Sequence, residues 1–437
     1  MFETVRNAFK VKEIRDKILF TFVMMLIIRF GSQLPVPGVD RDYFTSWFAS
    51  QSSDTFSLLD AFTGGSFLSM SVLALNITPY ITSSIIIQLL TIAIPKLEEM
   101  HKEGEEGRKK LAAITRYLTV GLALMQASAM AIGFGSQGLL ENYNAINVIM
   151  VIATLTAGSA FLMWIGERIT EKGVGNGISI VLCINIISTM PQDITSLFEQ
   201  FVIGKSVASA ILNAVIIIAI IVGLIVLVIL LNDAERRIPV QYARMLRGRS
   251  QYGSANSSIP LKVNTAGVMP IIFASAIMEF PVIISSLAGY SGTGIWNEIL
   301  CYLSSSYWCN AAYPRYTIGM LIYIVLLIFF AYFYTSISFN PIEVAENLKK
   351  GGGFIPGIRP GKPTSEYLQK LLNSIIFIGA CGLTIVGILP FIFRGVFNVS
   401  VSIGGTSLII VVSVILETIK QIESMMIQRN YKTFLSD

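Results

Sequence analysis

VASAILNAVIIIAIIVGLIVLVILL, residues 207–231, runs without one Asp, Glu, Lys, Arg or His. A helix rises about 1.5 Å per residue and the hydrocarbon core of a bilayer is roughly 30 Å thick, so a run of this length is a transmembrane helix. The rest of the chain agrees. Of its 437 residues 53% are hydrophobic and 14% charged, against about 25% charged in a soluble domain. Too little polar surface exists to wrap the apolar mass in water. Similar runs lie at 18–36, 68–94, 111–134, 147–166, 177–190, 266–290, 316–338, 372–394 and 404–427, the fifth being the shortest.

Loop charge orients these spans, because Lys and Arg near span ends stay cytoplasmic. Alternate segments divide sharply. One side holds the cations from Arg6 to Lys17, Lys96 to Arg116, Arg168 and Lys172, Arg236 to Lys262, Lys349 to Lys370, and Lys420 to Lys432. The other holds only Arg41, Lys205, Arg315 and Arg394. Adding or losing one helix would invert every later loop and mix the charges, so the pattern supports ten spans with both termini cytoplasmic. No cleavable signal peptide is expected, since a charged amphipathic stretch precedes the first apolar run. Five spans on each side of residues 190–206 give two oppositely oriented halves, 1–205 and 206–437, an arrangement that puts a path at the interface between them.

Several chemistries are excluded. A single histidine, His101, leaves no two-histidine zinc site and no histidine-based nucleophile system; it reads as a solvated loop residue. Residues 357–363 (GIRPGKP) superficially resemble a phosphate loop, but Pro356 and Pro363 stand where glycine and Ser/Thr are required. No enzyme, metal or cofactor is expected. Intramembrane ionisable groups mark coupled carriers, and here they are few: Arg29, near the outer end of the first span and able to snorkel, Glu279 and Glu417. Of the four cysteines, Cys183 and Cys381 read as small apolar residues, while the spacing of Cys301 and Cys309 leaves both a disulfide and two free thiols open.

Residues 54–70 (DTFSLLDAFTGGSFLSM) are too polar to span and too apolar for an ordinary loop. Phe56, Leu58, Leu59, Phe62, Phe67 and Leu68 need burial, and Gly64 with Gly65 supplies a break. Either a re-entrant half-helix buried in the protein, a movable plug, or an interfacial helix on the outer surface satisfies this.

The segments FTGGSFLSMSVLALNITPYITSSIIIQLL (62–90), KEGEEGRKKLAAITRYLT (102–119), MWIGERITEKGVGNGISI (163–180), ERRIPVQYARMLRGR (235–249), IPLKVNTAGVMPIIFAS (259–275), FNPIEVAENLKKGGGFIPGIRPGKPT (339–364) and GGTSLIIVVSVILETIKQIE (404–423) resemble the SecY family, the pore subunit of the bacterial protein-translocation channel. The resemblance covers all ten spans. It implies an all-α membrane protein, a clamshell of two inverted five-helix halves around an hourglass pore. Secreted chains would pass across the bacterial inner membrane, and signal sequences and membrane helices would leave sideways between spans 2 and 7, facing 3 and 8. It implies a constriction ring of Ile77, Ile81, Leu182, Ile272 and Ile410, and a plug at 55–69. Ile77 and Ile81, four residues apart, share a helix face independently of that likeness. An apolar ring gates by excluding water.

Further implied are docking loops 232–263 and 339–371 for a SecA motor ATPase or a ribosome, with Arg359 first and Arg244, Arg247 and Arg249 after it, and SecE- and SecG-type membrane subunits. Asn76 stands where glycine is commoner in the family, and Glu279 at a usually apolar place. A secondary transporter built on inverted repeats is the competing reading; it should keep polar ligands at the midplane.

Overall fold

The protein is described here from a computed structural model, which covers residues 6, 8–39, 63–135, 138, 140, 143–201, 207–242, 257–287, 294–309, 314–397 and 405–435. Every expected span has its helix: α1 (Lys12–Gly31), α2 (Thr78–Ala93), α4 (Glu105–Gly135), α5 (Ala145–Lys172), α6 (Gly177–Phe201), α7 (Val207–Asp233), α8 (Met269–Leu287), α10 (Ile318–Ser338), α12 (Lys362–Phe397) and α13 (Gly405–Leu435). Three shorter helices join them: α3 (Pro95–Lys102), α9 (Ile295–Leu303) and α11 (Pro341–Lys350).

The most apolar helix is the least buried. The stretch Ala214–Asp233 of α7 has a mean hydropathy of 3.7 yet only 11% of it is buried. In water such a surface would aggregate; in hydrocarbon it is a lipid contact. The helices with short apolar stretches, α2, α6 and α8, lie inward and carry three of the five expected ring residues, and a fourth, Ile77, stands just before α2 as its N-cap. Pro191 lies within α6, which continues to Phe201, well past the short apolar stretch expected there.

The second span is corrected at its start, while its end falls where expected, at residues 93–94. Residues 64–76 run in turns, and helix begins only at Thr78. Positive φ at Gly64, Gly65, Met70 and Asn76 is incompatible with a continuous right-handed helix. At the other end α2 bends by 106° into α3. Proline disfavours the α conformation in the residue before it, and Ile94 is extended ahead of Pro95.

In the first half α4 packs on α5 and α2; in the second α10 packs on α8 and α12. The halves meet where α6 touches α13 and α7, and again where α8 reaches α4 and α2. One core runs through both contacts, with Ile77, Ile165, Val181, Leu182, Phe273 and Ile410 all buried.

A three-stranded antiparallel sheet lies outside the ten spans, so the all-α expectation holds for the spans but not for the loops between them. β1 (Glu235–Tyr242) pairs with β2 (Ser257–Lys262) in the register Ile238↔Ile259, and with β3 (Gly353–Phe354) through Gln241↔Phe354. Ile238 and Val240, two apart on one face of β1, close over Leu261, Leu348, Ile355 and Leu368. The loops 232–263 and 339–371 therefore form one unit.

Candidate functional site

Four of the five ring candidates line one cavity of about 230 Å³: Ile81 from α2, Leu182 from α6, Ile272 from α8 and Ile410 from α13. The fifth, Ile77, is the N-cap of α2 and fully buried, and its carbonyl accepts from Ile81 N–H at 3.1 Å, one turn of helix linking the two. The cavity thus sits between the halves. Its floor includes Thr63 and Phe67 from the segment that precedes α2. Its walls are mostly aliphatic, which makes an unfavourable environment for water and ions and a compliant one for side chains that must part.

Sequence reasoning missed the polar residues on the same wall, Thr78, Thr82, Gln126 and Ser275. A signal existed: hydroxyls and amides inside apolar spans need partners. Of the two intramembrane carboxylates singled out, Glu279 lines the cavity, whereas Glu417 is exposed one turn from Lys420.

Of the plug candidates, Phe56, Leu58, Leu59 and Phe62 lie outside the described residues. From Thr63 onward the segment is buried in the protein: Thr63, Gly64, Ser66 and Phe67 are all covered. That removes the surface-helix alternative for this part. Phe67 packs edge-on against Phe134 of α4, with centroids 6.4 Å apart, in a cluster with Met70, Ala127, Met130 and Leu155. Gly64 and Gly65 are the expected break, with φ of 70° and 80°. The carbonyl of Gly64 accepts hydrogen bonds from Arg29 Nη1 at 3.2 Å and from Ser188 Oγ at 3.4 Å. A Cβ at residue 64 would lie 2.9 Å from the Asn185 backbone, so only glycine fits.

Asn76 closes the other end of the segment. Its φ of 52° is left-handed, a region that glycine enters freely and asparagine tolerates best among the rest. Its Oδ1 accepts from Asn185 Nδ2 at 3.0 Å and its carbonyl from Ser159 Oγ at 3.2 Å. Asparagine here thus keeps a backbone shape that glycine would adopt freely and adds a side-chain bond.

Arg359 is exposed on the turn between β3 and α12. That turn is held from beneath by Ile355 and Ile358 in the sheet's core, and Thr364 Oγ1 donates to the Arg359 carbonyl at 2.8 Å. Arg244, Arg247 and Arg249 lie outside the described residues. The end of α7, which leads into β1, is joined to α13: Asn232 Nδ2 donates to Ser413 Oγ at 2.6 Å, and Lys420 Nζ pairs with Asp233 at 2.6 Å. Asn264 Nδ2 in turn donates to Asn232 Oδ1 at 2.8 Å.

Cys301 and Cys309, whose pairing the spacing left open, are free thiols here. Cys309 Sγ instead lies 3.7 Å from Met320 Sδ. Burial pushes both thiols above the usual cysteine range.

The sequence profile of the SecY family matches residues 71–419. The protein translocase subunit SecY of Halalkalibacterium halodurans is 42% identical over 452 aligned residues, covering 100% of both chains. The chain belongs to the SecY family. Among solved structures, SecY in a study of how its plug domain stabilises the closed state of the translocation channel and maintains a membrane seal superposes with a TM-score of 0.63 at 18% identity, over 94% of this chain and 92% of that one. Sec61 in the canine ribosome–channel complex from the endoplasmic reticulum gives 0.59 at 17%, over the same shares. The ten-helix clamshell of SecY is therefore the fold, and the chain is a multi-pass membrane channel subunit, not an enzyme.

Proposed function

We propose that this chain is the pore of a protein-conducting channel in the bacterial inner membrane, passing unfolded secretory polypeptides across it and releasing membrane helices sideways between α2 and α8. Ile77, Ile81, Leu182, Ile272 and Ile410 form the seal, and residues 55–69 the plug. One observation carries this reading: four ring residues, from helices of both halves, line a single cavity beside Thr63 and Phe67. The mostly apolar walls favour a passive sealed route over a transporter's ligand site. Halves 1–205 and 206–437 would hinge at the α6–α7 connection, opposite the gate.

The joined loops 232–263 and 339–371 are the docking face for a SecA motor or a ribosome, with Arg359 at its tip and Arg244, Arg247 and Arg249 beside it. Arginine suits both partners, through forked bonds to carboxylates and attraction to RNA phosphate. SecE- and SecG-type subunits complete the complex, and both termini face the cytoplasm, as the one-sided loop charge favours.

The test is to install Ile272→Cys in a chain lacking its native cysteines, label it with maleimides of increasing size, and measure precursor export by the reconstituted complex. Export should fall as the adduct grows, with motor binding unchanged. Export indifferent to adduct size would count against the cavity as the path.

A further inference from the structure

Three features of the membrane interior are left over once the ring and the plug segment have been described. Arg29 is a cation inside α1, and it hands one N–H to a backbone carbonyl 35 residues away, that of Gly64. Ser188, on α6, reaches the same carbonyl. Asn185, one turn earlier on α6, is 3% exposed and holds Asn76, at the far end of the same segment. Residues 64–76 are thus tied down at both ends by side chains from outside the segment.

The two ties differ in kind. At Asn76 the contact is a buried amide pair backed by Ser159, itself 1% exposed. Breaking it would strand polar groups away from water. At Gly64 the donor is a long cation near the outer end of α1, half-buried, whose stem lets it reach the interface when its partner leaves. The Gly64 end can release at small cost, and the Asn76 end cannot. Positive φ at both Gly64 and Gly65 puts the freely rotating backbone at the releasable end.

We infer that Arg29 is a positioning residue of the gate, a catch on the Gly64 carbonyl that keeps the segment before α2 seated beneath the ring, with Ser188 as its second point and the Asn76–Asn185 pair as the fixed hinge. This rests on the reading of residues 55–69 as a plug. The guanidinium suits the task because it can hold a carbonyl while keeping other N–H groups free to follow the interface.

The experiment is resting ion conductance of the reconstituted complex in planar bilayers, without precursor. Arg29→Met removes the donor yet suits a membrane helix, so insertion should not suffer; conductance should rise about tenfold, as loss of a charge-assisted bond implies. Ser188→Ala should give a smaller rise in the same direction, and Arg29→Lys should restore most of the seal. In a chain lacking residues 55–69, conductance should already be high and Arg29→Met should add nothing. An unchanged seal in Arg29→Met alongside a leaky deletion would overturn the catch. A further leak from Arg29→Met within the deletion would also overturn it, placing Arg29's effect elsewhere. A deletion that stays sealed would instead bring down the plug reading, and the catch with it.

Discussion

At the scale of single residues, Asn76 shows how backbone and side chain can be constrained together. Left-handed φ costs a residue with a Cβ about 1–2 kcal/mol, less for asparagine and nothing for glycine. Asn76→Gly should therefore fold with near-normal stability, losing only the bond to Asn185. Asn76→Ala should lose that bond and add the strain, for a destabilisation of about 1.5–3 kcal/mol. Thermal unfolding of the purified complex should rank the three as wild type, Gly, then Ala. Equal stability of Ala and Gly would show that φ at residue 76 relaxes freely. The sequence marked residue 76 as unusual without the reason, because a positive φ leaves no trace in hydropathy. Ser188 and Asn185 were silent for a related reason: their partners lie 124 and 109 residues away.

At the scale of elements, helix positions were legible and loop structure was not. Ten spans follow from apolar length and alternating charge, both local properties. The turns of residues 68–76 were read as the start of the second span because apolarity alone cannot separate a buried turn from a span. The β1–β3 pairing joins Tyr242 to Gly353 across two intervening membrane helices, a contact no local pattern encodes. The Asn232–Ser413 bond, at the end of α7 that leads into β1, ties the proposed docking unit to the helix that carries Ile410. Arg359→Glu should impair motor-driven export severalfold while leaving the complex assembled, because the side chain is exposed and its loop is held by other contacts. Ser413→Ala should leave motor binding intact but weaken the increase in channel opening that binding brings. Measured together, motor affinity and single-channel opening separate the two; a loss of affinity in Ser413→Ala would show that the joint only props up the docking face.

At the scale of the whole molecule, polar groups are distributed by task. The outward face of α7 is hydrocarbon for lipid, the loops on one side are cationic, and the interior between the halves is mostly apolar with a few hydroxyls, an amide and the carboxylate of Glu279. Such an interior suits a closable route. The composition announced the membrane, and the charge asymmetry pointed to the face proposed here for docking. The proposed ring was legible only through likeness to a family, since an isoleucine facing a pore and one facing lipid are the same letter. The central claim is that translocating chains pass between these five residues. A photocrosslinker at Ile77, Ile81 or Ile272, with a secretory precursor stalled during export, tests it most directly: the precursor should crosslink at all three positions and not at lipid-facing Ile218 or Val325. Crosslinks confined to those outer positions, with none at the ring, would contradict it.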